Sequence, residues 1–449
     1  MFKNISKSKI VLAVISIIIT FFVWQQGLKE SLNRPSVSFD ISQKEIEIIE
    51  LAKPAIPEKL KKFFPDDSYK EMENSLSKLS YSELSDRNKL IWLLISNNEK
   101  IDNEIFNQFE EPIYKNTALN IQKIYLDKSF SKTFKISEDF KKDKYLYRLI
   151  CKKLHLDDTD INTKRNAKVM FLKIIVIRLI PILSILIGSI LVIRSIISII
   201  SSKTIQWKEF QPLDLNLIDM ILLISGGFVV LGEVVSPLFS ITLVEIFSKK
   251  LSPEISQSLK IFFGYFFMSI PPLLILYNQI KTIDNEFIFK KDYFQFNFYP
   301  IYKSLIFGFK GWVMIIPFVF LTSLITNLFI DNKVGSNPLL EIVLNNNNFL
   351  AFILLFITTT IFAPLFEEII FRGVLLPILS RDFGKIIGII LSSFIFALAH
   401  LSFSELPPLF ILGIGLSLTR FISGRLFSSV VMHSLWNGLT FLNLFLLRT

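Results

Sequence analysis

Residues 349–373 read FLAFILLFITTTIFAPLFEEIIFRG. Residues 350–366 carry no charge, and then Glu367, Glu368 and Arg372 follow in the same apolar setting. Ionisable groups are expensive in hydrocarbon, so those that occur there are functional candidates. On a helix Glu368 and Arg372 share a face at a spacing of four, while Glu367 points about 100° away. Arg372 can then compensate one carboxylate and leave the other facing a cavity. Such a group can take a proton and return it near neutral pH. The same pattern also suits a plain ion pair where a helix meets the membrane surface.

Outward from this stretch the chain stays apolar. Its 449 residues are 51% hydrophobic with mean hydropathy +0.49. That excludes an intrinsically disordered chain and does not suit an ordinary soluble enzyme. Apolar runs at 179–200, 218–235, 261–276, 312–330, 349–366, 386–399, 409–421 and 427–447, with a shorter one at 10–24, predict about eight or nine transmembrane helices. The fold expected is an all-α, polytopic membrane helical bundle, integral and multi-pass. Glu233 and Pro237 interrupt one of these runs, and Glu233 reads as a span-end residue. Residues 331–348 read as a polar connector. The net charge of +10 is explained by lysines in loops and flanks beside lipid, so no nucleic-acid partner is expected.

Charge is unevenly distributed. Of the 39 acidic residues, 24 fall between 28 and 168, which makes that region a module apart from the membrane body. Four regions follow: an N-terminal membrane anchor at 1–27, a soluble, charged, mainly helical insert at 28–168, transmembrane helices with interfacial connectors at 169–300, and a C-terminal domain at 301–449 that carries the polar motifs. Tyr69, Leu76, Leu79, Leu84 and residues 90–94 can supply the insert with a small core. Lys3, Lys7 and Lys9 ahead of the anchor place the insert outside the cytoplasm, although basic residues between Lys164 and Arg178 argue the reverse. The single cysteine, Cys151, excludes an internal disulfide and a Cys-rich metal site.

Histidine-based chemistry has three candidates: His155, His400 and His433. His155 lies in KKLHLDDTD beside Asp157, Asp158 and Asp160, which lack the spacing of a calcium loop and read as a solvated helix end. His400 ends an apolar run, one helical turn after Phe396. His433 and Asn437 are four apart and project from one face of a later helix. Alone, His400 is more simply read as an interfacial or hydrogen-bonded residue at a span end, and His433 with Asn437 as polar residues tying helices together. Together with the paired carboxylates they change the balance. Three helices can bring Glu367, His400 and His433 to one point, as a zinc site with an open water position. The same set suits a glutamate that activates water directly, with His and Asn at the oxyanion.

Glu367-Glu368-x-x-x-Arg372, Phe396-x-x-x-His400 and His433-x-x-x-Asn437, in that order, resemble the three signature motifs of the CPBP intramembrane proteases, also called the ABI or CAAX-prenyl-protease-2 (Rce1-type) family. The resemblance covers about 349–447 and leaves residues 1–300 outside it. It implies that Glu367 is the base for the hydrolytic water and that His400 shares that water or a metal. It further implies that His433 and Asn437 stabilise the oxyanion or complete a metal site. Glu368, Arg372 and Phe396 become supporting residues. A zinc ion on Glu367, His400 and His433 and a metal-independent mechanism both remain open. The implied activity is intramembrane endopeptidase, and the implied substrate is a peptide or membrane protein, a prenylated C-terminal tail being one class.

Two other readings stand beside it. A non-catalytic membrane scaffold would use 28–168 as its interaction module. A transporter would also place charges in the membrane, but should show broken, repeated spans. Other protease signatures are absent: there is no HExxH, and FISG at 421–424 lacks the first glycine of GxSG.

Overall fold

The computed structural model describes residues 6–34, 37–96, 103–126, 136–154, 163–201, 207–209, 213–248, 250–283, 294–330, 335, 337–346 and 348–448. Among these residues every regular element is a helix. The chain divides into two compact units. One comprises Ser38–Ile180 with Leu446–Thr449, and the other Met1–Val37 with Pro181–Phe445. His155 and the neighbouring Asp157, Asp158 and Asp160 lie outside the described residues.

The first unit is built from short capped helices. Its main ones are Ser38–Ala52, Ser68–Leu76, Asp86–Ile95, Pro112–Leu126 and Lys144–Lys153. Asp67 caps the second through the Tyr69 and Lys70 amides, and Asp143 caps the last through the Leu146 amide, satisfying donors that a helix start leaves open. Leu76, Leu84, Leu90, Ile91, Leu93 and Leu94 are buried as expected, joined by Ile48, Ile49, Met72 and Ile150. Tyr69 and Leu79 are only half-buried. Polar organisation comes from Arg87, which reaches the fully buried Glu47 at 2.7 Å and Asp143 at 2.6 Å.

The second unit contains apolar helices, since in lipid a chain must satisfy its own backbone groups. Among the described residues of the chain, seven helical stretches are long and apolar enough to cross a membrane: Lys7–Asn33, Arg165–Ile200, which begins in the first unit, Leu217–Ile246, Pro253–Thr282, Ile301–Phe329, Phe349–Phe383 and Leu406–Ser423. The count is thus seven where eight or nine were expected. The other two expected segments are helices as well. Lys385–Leu398 has only 14 residues, and Leu426–Leu446 is diluted by His433, Asn437 and Asn443. The expected connector at 331–348 contains a further helix, Pro338–Asn345. There Asn337 caps the Leu339 amide, and Pro338 occupies the first turn, where its missing N–H is harmless. Glu233 lies inside its span, in a π-helical stretch Leu222–Val235 that continues directly into Ser236–Ser248.

The site is framed by the last four helices and by Ile301–Phe329. Leu406–Ser423 packs on both Lys385–Leu398 and Ile301–Phe329. Gly413 permits the first crossing: a Cβ there would lie 2.9 Å from Ser393 Cβ and 3.0 Å from its Cα. Small residues at such a crossing let helix backbones approach closely. Phe371, Phe396, Leu412, Leu416 and Met432 fill the space between these helices.

Replacing Arg87 by Ala should destabilise the first unit by about 3 kcal/mol, because it leaves Glu47 buried without its principal cation. Differential scanning calorimetry of the full chain would read this loss. Burial alone would raise the Asp143 carboxyl, but Arg87 and the Leu146 amide hold it below its ordinary value. The folded state therefore binds this proton more weakly than the unfolded one. The Asp143 contribution is complete above about pH 4 and fades as pH falls through the lower folded value.

Candidate active site

Asn348 starts the carboxylate helix by accepting the Leu350 and Ala351 amides at 3.0 and 3.2 Å. The helix Phe349–Phe383 is not uniform. Two π-helical stretches, Thr358–Phe362 and Ile369–Leu375, flank the short α-helical segment Ala363–Glu368. In the first, the Ala363 amide bonds the Thr358 carbonyl. The next donor in that register would be Pro364, which has no N–H. The Thr359 carbonyl is met instead by the side-chain amide of Asn437, at 2.9 Å. Asn437 is thereby tied to the carboxylate helix. Wide turns of this kind occur often at functional sites.

Glu368 and Arg372 are both wholly buried and form an ion pair at 2.9 Å. Arg372 also donates to the Gly413 carbonyl at 3.2 Å and lies over the Phe396 ring, 4.2 Å from its centroid. The same Glu368 oxygen accepts His433 Nδ1–H at 2.9 Å. Because a carboxylate beside Arg372 can only accept, His433 carries its proton on Nδ1 and directs Nε2 elsewhere. Nε2 lies 3.9 Å from Oε2 of Glu367. That oxygen is buried with no hydrogen-bond partner among the described residues. The separation is beyond a direct hydrogen bond and is one that a water bridges.

His400 sits on the turn that follows Leu398, and its Nδ1 is 2.8 Å from the Phe396 carbonyl. This again fixes the proton on Nδ1 and leaves Nε2 as the acceptor. Phe396 is the wedge of the site, with its ring edge-on to His400 at 4.7 Å and to His433 at 5.7 Å. Glu367, His400, His433 and Asn437 all line one cavity of about 460 Å³. Its walls are mostly apolar, with Ile185, Ile316, Val319 and Leu412 among them. Every residue singled out in the three motifs is thus brought to one place. Arg372 neutralises Glu368, and Glu367 is the carboxylate that faces the cavity.

The donor types suit zinc, and the two Nδ1 hydrogen bonds are of the kind that orient a ligating Nε2. Among the described residues, however, no group of three or more His, Cys, Asp or Glu draws together to hold an ion. The arrangement as it stands does not make the three-ligand set, and no step below is routed through a metal.

Residues outside the motifs also reach the cavity. Tyr265 comes from Pro253–Ile283, and Thr359 from the first π stretch. Glu405 accepts the Asn337 amide at 3.0 Å, and burial raises its carboxyl above the usual range. In the sequence Glu405 is a lone acid between two apolar helices, five residues after His400, which is the one visible signal for it. Tyr265 and Thr359 carry no such signal, since nothing in a helical pattern says which face meets a cavity.

Residues 349–439 match the family profile described as type II CAAX prenyl endopeptidase Rce1-like. Residues 38–172 match a domain of unknown function, DUF8675. No curated protein and no solved structure matches the chain. The chain is a multi-pass membrane protein with an Rce1-like domain, which contains all seven motif residues.

Replacing Arg372 by Met should cost about 3–5 kcal/mol, because it strands a buried carboxylate. Adding Glu368→Gln should recover much of that loss, since the remaining pair is neutral and His433 keeps an acceptor. Thermal unfolding in detergent would compare the two, and no recovery in the double variant would count against the ion pair as the reason.

Proposed function

We propose that this chain is an intramembrane endopeptidase of the CAAX prenyl protease type, in which Glu367 activates the water that hydrolyses a peptide bond. One observation carries the reading. The unpartnered, buried Oε2 of Glu367 stands 3.9 Å from His433 Nε2 at the wall of a cavity that His400 also lines.

A water bridging Glu367 and His433 would donate one proton to each acceptor and turn its oxygen lone pairs to the cavity. As that oxygen bonds to the scissile carbonyl carbon, Glu367 takes a proton, and the carbonyl π electrons move onto oxygen. The resulting oxyanion needs donors. Asn437 uses one amide hydrogen on Thr359 and retains a second for this purpose. Collapse re-forms the carbonyl and breaks the C–N bond, and Glu367 returns its proton to the leaving amine. Glu368 acts through His433, holding its ring plane, and Arg372 holds Glu368 in place. His400, at the same cavity, shares the water as a further acceptor.

The cavity is low in dielectric, which strengthens each of these interactions. Its apolar walls suit a peptide that arrives from the bilayer, and a prenylated C-terminal tail is one substrate class of that kind. The charged residues 28–168 are proposed as a separate interaction module that does not enter the chemistry.

Replacing Glu367 by Gln keeps the shape and removes the base. It should lower turnover by about 10²–10⁴-fold while membrane insertion and thermal stability stay unchanged. Quantitative comparison of membrane peptides with and without the substitution would supply the substrate as well, and identical peptide profiles would overturn the reading. Treatment of purified protein with 1,10-phenanthroline should leave cleavage intact. Loss restored by added zinc would reassign Glu367, His400 and His433 as ligands.

A further inference from the structure

We propose that the final helix, Leu426–Leu446, holds the substrate as an extended chain, with Thr440 and Asn443 accepting hydrogen bonds from its main-chain N–H groups. This rests on the protease reading above and deepens it. Both residues line the same cavity as Glu367 and His400, on the helix that carries His433. The Asn443 amide oxygen is buried and has no hydrogen-bond partner among the described residues. A buried acceptor left unmet costs about 1–3 kcal/mol, so it marks a place where a donor is wanted. The Thr440 hydroxyl gives its proton to the Trp436 carbonyl at 3.1 Å, so only its lone pairs remain for the cavity. Ser323, across the cavity on Ile301–Phe329, is in the same condition, its hydroxyl being donated to the Val319 carbonyl at 2.9 Å.

The site therefore presents acceptor oxygens within a mostly apolar cavity. A helical peptide has no main-chain N–H to give them along its length, because each is already bonded within the helix. An extended chain has one to offer at each residue. The positions along the helix set where each would meet such a chain. Thr440 is seven residues from His433, about 10 Å along the helix, and Asn443 is ten residues away, about 15 Å. An extended peptide rises about 3.3–3.4 Å per residue. Thr440 would thus meet it roughly three residues from the scissile bond, and Asn443 roughly four or five residues away. Hydrolysis requires the same unwinding, since a scissile carbonyl inside a helix is shielded by its own turn.

The test uses the full chain carrying Glu367→Gln in detergent micelles. The probe is an apolar, N-terminally fluorescein-labelled nonapeptide with a set of analogues N-methylated at successive amides, read by fluorescence anisotropy. Methylation at one or two interior amides should weaken binding about fivefold, the worth of a neutral hydrogen bond, and methylation elsewhere should not. Thr440→Val and Asn443→Leu should each weaken the parent peptide by a similar factor and erase the discrimination at one amide. Thr440→Val is nearly isosteric, so it still decides the matter if Asn443→Leu does not fold. Equal binding of all analogues, discrimination that persists in both variants, or no saturable binding would each overturn the proposal. Cleavage of the parent peptide by the native chain is scored separately. Discriminating binding without Glu367-dependent cleavage would leave the peptide site standing and remove the protease.

Discussion

A guanidinium with no exposed surface inside a membrane helix survives only if its charge is answered, and Arg372 is answered by Glu368 four residues earlier. Much of the site depends on that pair. It holds Glu368 in place as the partner of His433 Nδ1. It draws the Gly413 carbonyl and the Phe396 ring onto Arg372, so three helices are referenced to one side chain. It also spares Glu367 from pairing. Of two neighbouring carboxylates, Glu368 is held by Arg372 and His433 through one oxygen, and Glu367 lines the cavity wall.

The backbone contributes a second constraint. Pro364, three residues before Glu367, removes a donor from the π-helical stretch that precedes it, and Asn437 supplies the missing hydrogen bond. The proline so couples the first motif helix to the last one. Phe396 serves the same end by packing, as its ring meets both imidazoles in T-shaped contacts and lies beneath the guanidinium of Arg372. The motif residues therefore form one mechanical object, in which the polar and aromatic members each fix the orientation of another. Such locking holds Glu367 and His433 3.9 Å apart at the cavity wall.

The motif residues and their local pairing were readable from the sequence alone. The spacing of four between Glu368 and Arg372 made the ion pair a direct consequence of helical geometry, and the charge-free run at 350–366 marked the carboxylates as unusual. The membrane class followed from hydropathy. Other features were not readable, for physical reasons. Among the described residues seven helices are long and apolar enough to span, and the two further apolar runs, 386–399 and 427–447, form the helices Lys385–Leu398 and Leu426–Leu446. A helix inside the connector at 331–348 was hidden by the asparagines around it, one of which proved to be its cap.

What the sequence by itself determined is the identity of the chemical groups and their local pairing. Helical periodicity is a short-range rule, so Glu368 with Arg372 and His433 with Asn437 could be placed on common faces from spacing alone. What only the tertiary structure decided is which groups meet across helices: that His433 stands between the two carboxylates, that Asn437 ties to Thr359, and that Thr440 and Asn443 share the cavity. These contacts join residues from 65 to 78 positions apart, as the His433–Glu368 and Asn437–Thr359 bonds illustrate. They depend on helix rotation and crossing, which side-chain volumes at Gly413 and Phe396 set and no local pattern encodes.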